Sequence, residues 1–397
     1  MAQPRFEPRD CPVCGGKKSK PLFQQSFEKL AGATLMDGYD VVICQTCGAG
    51  FADDIPTQET FDAFYRDFSK YEDGPSTKTA APPVSRKFRD MAELIQRFIP
   101  TRDSKVFEIG AATGELLKGL SDLGFSNVLA SDPSPACIRL AHDWYNVPGV
   151  SGTVFSVATP EKPYDLVILI GVMEHIRDLN RTVDQFYRLV KKGGRVFIEV
   201  PDASRYDARL DAPYQEFSVE HINFFSKTSL INLMQLRGFR VLEAGHTMRP
   251  LHEVTCPCVY GAFEYTGENG VMTRDEETER GLRAYVDGCS KEDVRIRAAI
   301  QNALEPGEKM IVWGSGTHTL RLLATGGLDV AKVACFVDSN PKYQSQGLRG
   351  VSVLPPSQIQ NRSEPILISS RSSQRAIQDT IRRTFGLKNR LIVLYPS

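Results

Sequence analysis

Beyond residue 105 the chain settles into a repeating pattern. Apolar runs of four to seven residues, rich in Val and Ile, alternate with segments whose apolar positions recur every three or four residues. The runs predict strands at 105–109, 128–131, 164–170 and 195–200. The periodic segments predict helices at 115–123, 135–144 and 179–190. Lys191-Lys192-Gly193-Gly194 is a helix stop, with cations at the negative end of the dipole and glycine beyond it. Residues 225–246 add a helix (SLINLMQLRGF) and a strand (RVLEAG). Short β-rich runs alternating with helices predict an α/β fold around a parallel, doubly wound sheet. Upstream, 57–71 is helical and aromatic, with Phe61, Phe64, Tyr65 and Phe68. A Pro-, Ser- and Gly-rich connector follows, then a helix at 85–98. Downstream, 273–304 is charged and helical in period and predicts a bridge. The alternation then resumes, with 310–313, 333–337, 366–369 and 390–394 as strands and 319–325 and 373–385 as helices. This predicts a second, smaller α/β unit. The expected division is 1–83, 84–250, 251–305 and 306–397.

Charge and cysteine usage narrow this picture. The 397 residues carry 48 Lys+Arg against 48 Asp+Glu, a balance that argues against coating nucleic acid or an acidic membrane. No apolar run approaches the roughly 20 residues of a membrane helix, and the N-terminus MAQPRFEPRD has no apolar leader. The expectation is a cytoplasmic protein with reduced thiols, no membrane and no nucleic acid among its partners, and a small-molecule substrate. Of nine cysteines, four form two tight pairs, Cys11-Pro-Val-Cys14-Gly and Cys44-Gln-Thr-Cys47-Gly, with 29 residues between them. Two thiolates three positions apart can grip one ion, and the following Gly permits the tight turn. Two such knuckles give four sulfur ligands, a set suited to structural Zn²⁺. Cys256 and Cys258 have no second pair and read as ordinary thiols.

Val106-Phe-Glu108-Ile-Gly110-Ala-Ala112-Thr-Gly114 stands at a predicted strand-to-helix turn. Gly110 and Gly114 remove side chains where the chain bends and a ligand can approach the backbone. Asp132 follows Gly110 by 22 positions, at the end of the next strand, with Pro133 after it. A carboxylate there can accept hydrogen bonds from ribose hydroxyls. The ExGxxxG spacing is not the GxGxxG that aims a helix at a pyrophosphate. It fits a ligand with a ribose and a cationic amino-acid tail, namely S-adenosylmethionine, with Glu108 serving the ammonium end.

EIGAATG, SDPS, YDLVILIGVMEHI and GGRVFIEVPD together resemble the core of a class I S-adenosylmethionine-dependent methyltransferase, over about 88–245. With the CPVCG…CQTCG module and the second α/β unit, the whole chain resembles the three-part sugar C-methyltransferases. The resemblance implies a Rossmann-like class I core, a four-cysteine zinc module and a smaller C-terminal Rossmann-like domain that helps hold a nucleotide-linked keto-sugar. It implies a role in polysaccharide or natural-product biosynthesis.

Methyl transfer needs alignment and removal of a proton from the acceptor. His175, in GVMEHI, and His221, in SVEHINFF, both fall at predicted strand-end loops, among only six His in the chain. His221 is the candidate base, Glu220 its orienting carboxylate, and His175 an acceptor contact. The family reads Tyr-x-Glu-His before this histidine. Here the sequence is Ser218-Val-Glu220-His221, so the tyrosine does not carry over and O- or N-methylation of another small metabolite is the rival reading. The family also places a tyrosine ahead of the donor domain near the acceptor, and Tyr71 is the preferred match over Tyr65. A further rival, a zinc-ribbon methyltransferase acting on nucleic acid, lacks an aromatic-basic stripe. Finally, Gly314-Ser315-Gly316-Thr317-His318 follows another predicted strand, and Asp338 comes 22 positions after Gly316. The expectation is a backbone-amide cradle for the diphosphate of a sugar nucleotide, with Ser315, Thr317 and His318 as added donors. Oligomeric state is not legible.

Overall fold

The computed structural model describes residues 6, 8–29, 35–67, 81–208, 211–251, 254–344 and 347–395. Tyr71 and most of the 72–83 connector lie outside these residues.

Three strands, β1 (Ser19–Ser26), β2 (Gly38–Cys44) and β3 (Gly50–Asp53), form an antiparallel meander next to the cysteine pairs. Helix α1 (Gln58–Asp67) follows, and α2 (Arg86–Ile95) opens the central domain, continued by a 3₁₀ turn at Gln96–Phe98. The strand–helix alternation then unfolds much as the periodicity predicts. Its elements are β4 (Val106–Ile109), α3 (Glu115–Asp122), β5 (Val128–Asp132), α4 (Pro135–Tyr145), β6 (Gly149–Ser151), β7 (Tyr164–Ile170), α5 (Leu179–Leu189) and β8 (Val190–Pro201). β8 begins at once where α5 ends, so Lys191–Gly194 stops the helix and also enters the strand. Gly193 takes φ +83° there.

A short β9 (Asn223–Phe224), α6 (Lys227–Gln235) and a long hairpin, β10 (Phe239–Leu251) with β11 (Val254–Tyr265), complete the centre. The strand order is β10-β11-β8-β7-β4-β5-β6. β4 to β8 pair in parallel, whereas β11 runs antiparallel to both of its neighbours. Val167, Ile168 and Leu169 of β7 are fully buried, as a strand covered on both faces must be. β9 is hydrogen-bonded to β3, so the N-terminal sheet takes its fourth strand from the middle of the chain.

The bridge expected over 251–305 narrows to one helix of 25 residues, α7 (Glu277–Gln301), because 254–265 is strand β11 of the central sheet, paired with β8. Gly281 lets it pack onto 203–208: a Cβ there would meet the Ala203 carbonyl oxygen at 2.5 Å. The last unit comprises β12 (Met310–Trp313), α8 (Thr317–Ala324), β13 (Val333–Val337), α9 (Pro341–Gln344), β14 (Gly347–Leu348), β15 (Val351–Leu354), β16 (Ile366–Ile368), α10 (Gln374–Asp379) and β17 (Leu391–Val393). Its six-stranded sheet runs β14-β15-β13-β12-β16-β17, parallel except for the β14–β15 pair. Among the described residues no helix is long and apolar enough to cross a membrane.

Candidate active site

The ligand edge of an open α/β sheet is the carboxyl end of its strands, beside the point where strand order reverses. Here that point lies between β4 and β7, and a cavity opens over it. Gly110, at the end of β4, takes φ +73°, and a Cβ on it would strike Val172 Cγ2 at 2.5 Å. Only glycine serves on both counts. Ala112 is held at φ +47°, an uncommon conformation for a residue with a Cβ. The restraint comes from Asp132, whose Oδ2 accepts the Ala112 N–H at 2.9 Å and whose Oδ1 accepts that of Ser134 at 2.9 Å. Each carboxylate oxygen has a further lone pair, so Asp132 can still receive hydroxyls in the cavity it lines with Pro133. Gly114, at φ +77°, caps α3. Glu108 is buried behind the turn. Burial, and then the neighbouring Asp132, pushes its carboxyl up to about 8, so an arriving cation would find it ready to ionise.

The other end of this cavity gathers the acceptor candidates. Tyr65, His175 and Glu220 line it together with Phe64, Gly171 and Val172. His175 Nδ1 lies 3.0 Å from the Tyr65 hydroxyl and 3.1 Å from the Glu220 carbonyl. A carbonyl only accepts, so the ring that bonds it carries its proton on Nδ1 and leaves Nε2 as the basic nitrogen. Burial, with the Glu220 and Glu174 carboxylates behind it, holds the Tyr65 phenol well above its ordinary range and keeps it protonated. The His221 ring packs edge-on against His175, with centroids 4.9 Å apart. Ligand atoms of Glu174, His175 and His221 all lie within 4.8 Å of one another.

Two of the sequence expectations change in detail. The carboxylate facing the His221 ring is that of the wholly buried Glu216, with Oε2 4.0 Å from Nδ1, whereas Glu220 turns its carbonyl to His175. The cause is Ser218, whose Oγ accepts the N–H of Glu220 at 3.3 Å and of His221 at 3.1 Å. Adjacent residues in so tight a capped turn do not share a face, and the residue five positions before His221 does. Ser218 therefore shapes the turn at the position where the resemblance would have placed a tyrosine. The phenol beside His175 in the described residues is Tyr65. Tyr71 is outside them.

The second glycine turn repeats the first. Asp338 Oδ2 accepts the Ser315 N–H at 2.8 Å and Oδ1 that of Asn340 at 2.9 Å, the same pair of bonds that Asp132 makes. Gly314, Gly316, Thr317, His318 and Asp338 line a second cavity, closed by 369–373 and by Asp211, Ala212 and Gln215 of the central domain. His318 is buried and bonded through Nε2 to the Tyr395 hydroxyl at 2.7 Å. Burial and then Arg321 lower it to about 3, so it enters the wall as a neutral ring. The segment 211–221 supplies wall residues to both cavities.

In the N-terminal module Cys11 and Cys47 Sγ lie 3.6 Å apart, and Cys14 and Cys44 Sγ 3.7 Å apart. Four sulfurs at about 2.3 Å from one ion in a tetrahedron would be separated by about 3.8 Å, so the set is already the right size. Gly15 and Gly48, one after each pair, take φ +73° and +85° as the knuckles require.

Residues 84–244, about two fifths of the chain, match the family model described as a methyltransferase domain. No curated protein matches the chain. Solved structures that resemble it include a methyltransferase of Thermotoga maritima described as a possible histamine N-methyltransferase, at 19% identity over 45% of this chain and 88% of that one, TM-score 0.36. A Pyrococcus horikoshii protein is 20% identical over 51% and 98%, TM-score 0.38. The CcbJ methyltransferase of Streptomyces caelestis is 16% identical over 49% and 94%, TM-score 0.37. On the family match and the donor cleft together, the chain carries an S-adenosylmethionine-dependent methyltransferase domain over residues 84–244.

Proposed function

We propose that this enzyme transfers a methyl group to a carbon of a nucleotide-activated sugar, in the cytoplasm, with zinc held by Cys11, Cys14, Cys44 and Cys47 as a structural ion. The observation that carries the reading is that one segment, 211–221, supplies walls to both cavities, Glu220 to the first and Asp211, Ala212 and Gln215 to the second. The first takes an adenosyl ligand at Asp132 and presents His175 and Tyr65 at its other end, with the His221 ring packed against His175, and the second is a glycine-turn cavity for the rest of the acceptor. When bound, the donor supplies a methyl group already activated on a sulfonium. The chain must then orient the acceptor and take its proton. His221 takes the proton from the carbon beside the acceptor's carbonyl, and the electron pair left there takes the methyl. Glu216 faces the ring and stabilises the imidazolium that forms. The Tyr65 hydroxyl donates to the acceptor's carbonyl oxygen, and His175 Nε2, its ring oriented by the Glu220 carbonyl, accepts from a hydroxyl of the sugar. Thr317, the backbone at 314–318 and the serines of 369–373 receive the nucleotide, whereas Ser315 is fully buried and turns its side chain away from the cavity lining.

The experiment is run in D₂O with a panel of nucleotide-linked keto-sugars. Without donor, the native enzyme exchanges one acceptor C–H for deuterium; with donor, the product gains 14 mass units, about one CH₂. His221→Ala abolishes both signals. A gain of mass on a hydroxyl or amine, with no exchange at carbon, replaces carbon methylation by the O- or N-methyl reading. Full turnover by the variant removes the base assignment.

A further inference from the structure

Beside the acceptor end of the donor cavity stands a cluster whose members the chemistry above uses only in part. Glu174, His175 and His221 each offer one ligand atom, and the three atoms lie within 4.8 Å of one another. Glu174 and His175 come from the 3₁₀ turn Met173–His175 after β7, and His221 from the loop ahead of β9. The two pieces are locked together. The Ile222 N–H donates to the Glu174 carbonyl at 2.9 Å, and Asn223 Nδ2 donates to the carbonyls of Met173 and Ile176 at 2.8 and 2.7 Å.

The carboxylate is the member that calls for a ligand. The Glu174 side chain is 3% exposed, and its buried Oε2 has no hydrogen-bond partner among the described residues. A buried carboxylate oxygen in that state is costly until a cation or a donor reaches it. Its ion-pair neighbour is His175 Nε2, 4.0 Å from Oε1. Arg249 does not fill the place. The β10–β11 hairpin carries it past the end of β8, where its Nη1 would lie 3.0 Å from a Cβ on Gly171, but its Nε donates to the fully buried Glu199 at 2.9 Å and its ion pair is with Glu199. Each imidazole is backed as a metal ligand would be. His175 Nδ1 donates to the Glu220 carbonyl and turns Nε2 toward Glu174, and the Glu216 carboxylate stands behind His221 Nδ1. A carbonyl or carboxylate on the far nitrogen is what fixes the ring of a metal-bound histidine. The His175 and His221 side chains are 21% and 22% exposed, so an ion can arrive from their side while Glu174 closes the buried one. Nitrogen and oxygen ligands of a tetrahedral ion stand about 3.3 Å apart, so binding draws the three groups inward.

We infer that Glu174, His175 and His221 form an exchangeable site for a divalent transition-metal ion, distinct from the four cysteines, and that an ion seated there halts methyl transfer by occupying the nitrogens that handle the acceptor. Two imidazoles and one carboxylate suit Zn²⁺ or Co²⁺ rather than Mg²⁺, which favours oxygen and water. Binding exchanges water for protein lone pairs and changes no oxidation state. The inhibition rests on the reading of His221 as base; the ion site does not.

The test titrates Co²⁺ into the full chain, with zinc kept at the cysteine module and neither donor nor acceptor present. One further Co²⁺ per chain is expected, with visible ligand-field bands and no thiolate charge transfer, and Mg²⁺ at equal concentration should not displace it. Glu174→Gln is expected to weaken Co²⁺ by at least about tenfold, and Glu174→Asp, which keeps the charge, to lose less. His221→Ala should bind no further ion; the melting temperature and zinc content of each variant report its folding. In D₂O, filling the site should stop the donor-free exchange of the acceptor C–H, and a chelator too weak to strip the cysteines should restore it. No further ion in the native chain, or equal binding by Glu174→Gln, overturns the site. An ion that binds and speeds exchange overturns the inhibition. If exchange is absent with no ion added, the base reading fails and takes the inhibition with it, while the Co²⁺ bands still decide the site.

Discussion

A few side chains decide whether the cleft can do chemistry, and Glu216 is the most exposed to test. It is wholly buried, with its carboxylate 4.0 Å from His221 Nδ1. Its anion should stabilise the imidazolium that forms as His221 takes a proton. Glu216→Gln is therefore expected to lower kcat by about ten- to a hundredfold with little change in KM, and to move the acid limb of the pH–rate profile to lower pH. Glu220→Gln, altering a cavity wall, should act mainly on KM. Identical profiles for the two variants would return the orienting role to Glu220. The pair also shows what the residues alone disclose. The motif Glu220-His221 invites pairing of neighbours, and only the turn capped by Ser218 reveals which carboxylate faces the ring.

At the scale of elements, the cysteine knuckles matter because of what rests on them. Cys44 closes β2, and Cys47 accepts a backbone hydrogen bond from Asp275, just ahead of α7, at 2.7 Å. β3 of the same module pairs with β9, two residues after His221. Arg9, buried beside the knuckle, donates to the carbonyls of Ala52, Ile222 and Arg177. The module thus buttresses the loop that carries His221. Metal analysis should find one zinc per chain. Its removal by a strong chelator, or Cys44→Ser, should lower the melting temperature and kcat together, with zinc restoring both only in the native sequence. A protein that melts and turns over unchanged without zinc would exclude a structural ion. β9 itself, two residues long, is too short to carry a periodicity and so was invisible in the sequence. The long strands and helices of the donor domain were legible because burial on both faces of a parallel sheet writes continuous apolar runs.

Across the whole molecule, the three parts are tied by buried polar contacts at the C-terminal unit. Arg321 of α8 pairs with Asp293 of α7 at 2.7 Å and lies over the Tyr214 ring of the segment that supplies walls to both cavities. One turn earlier, His318 bonds Tyr395 near the end of the chain. Burial holds His318 at about 3, against an ordinary value of 6.5. Below pH 6.5 the unfolded chain takes up a proton that the folded one refuses. The stability owed to this neutral ring is complete above about pH 6.5 and is lost as pH falls toward 3. His318→Gln should therefore flatten the fall in melting temperature between these limits. An unchanged slope would show that the ring ionises without unfolding.

The order of strands and helices, the glycine turn with its downstream acid, the two cysteine pairs and the likeness of the two α/β units were all determined by local pattern. They follow from periodicity, spacing and the backbone conformations that glycine permits, which neighbouring residues encode. The pairing of His221 with Glu216, the reach of Arg249 past Gly171, the approach of Tyr65 to His175 and the seating of β9 on the N-terminal sheet were decided only by tertiary structure. Each joins residues through a turn, a register or a strand overhang. Such contacts depend on where whole elements come to rest, and no stretch of sequence carries that by itself.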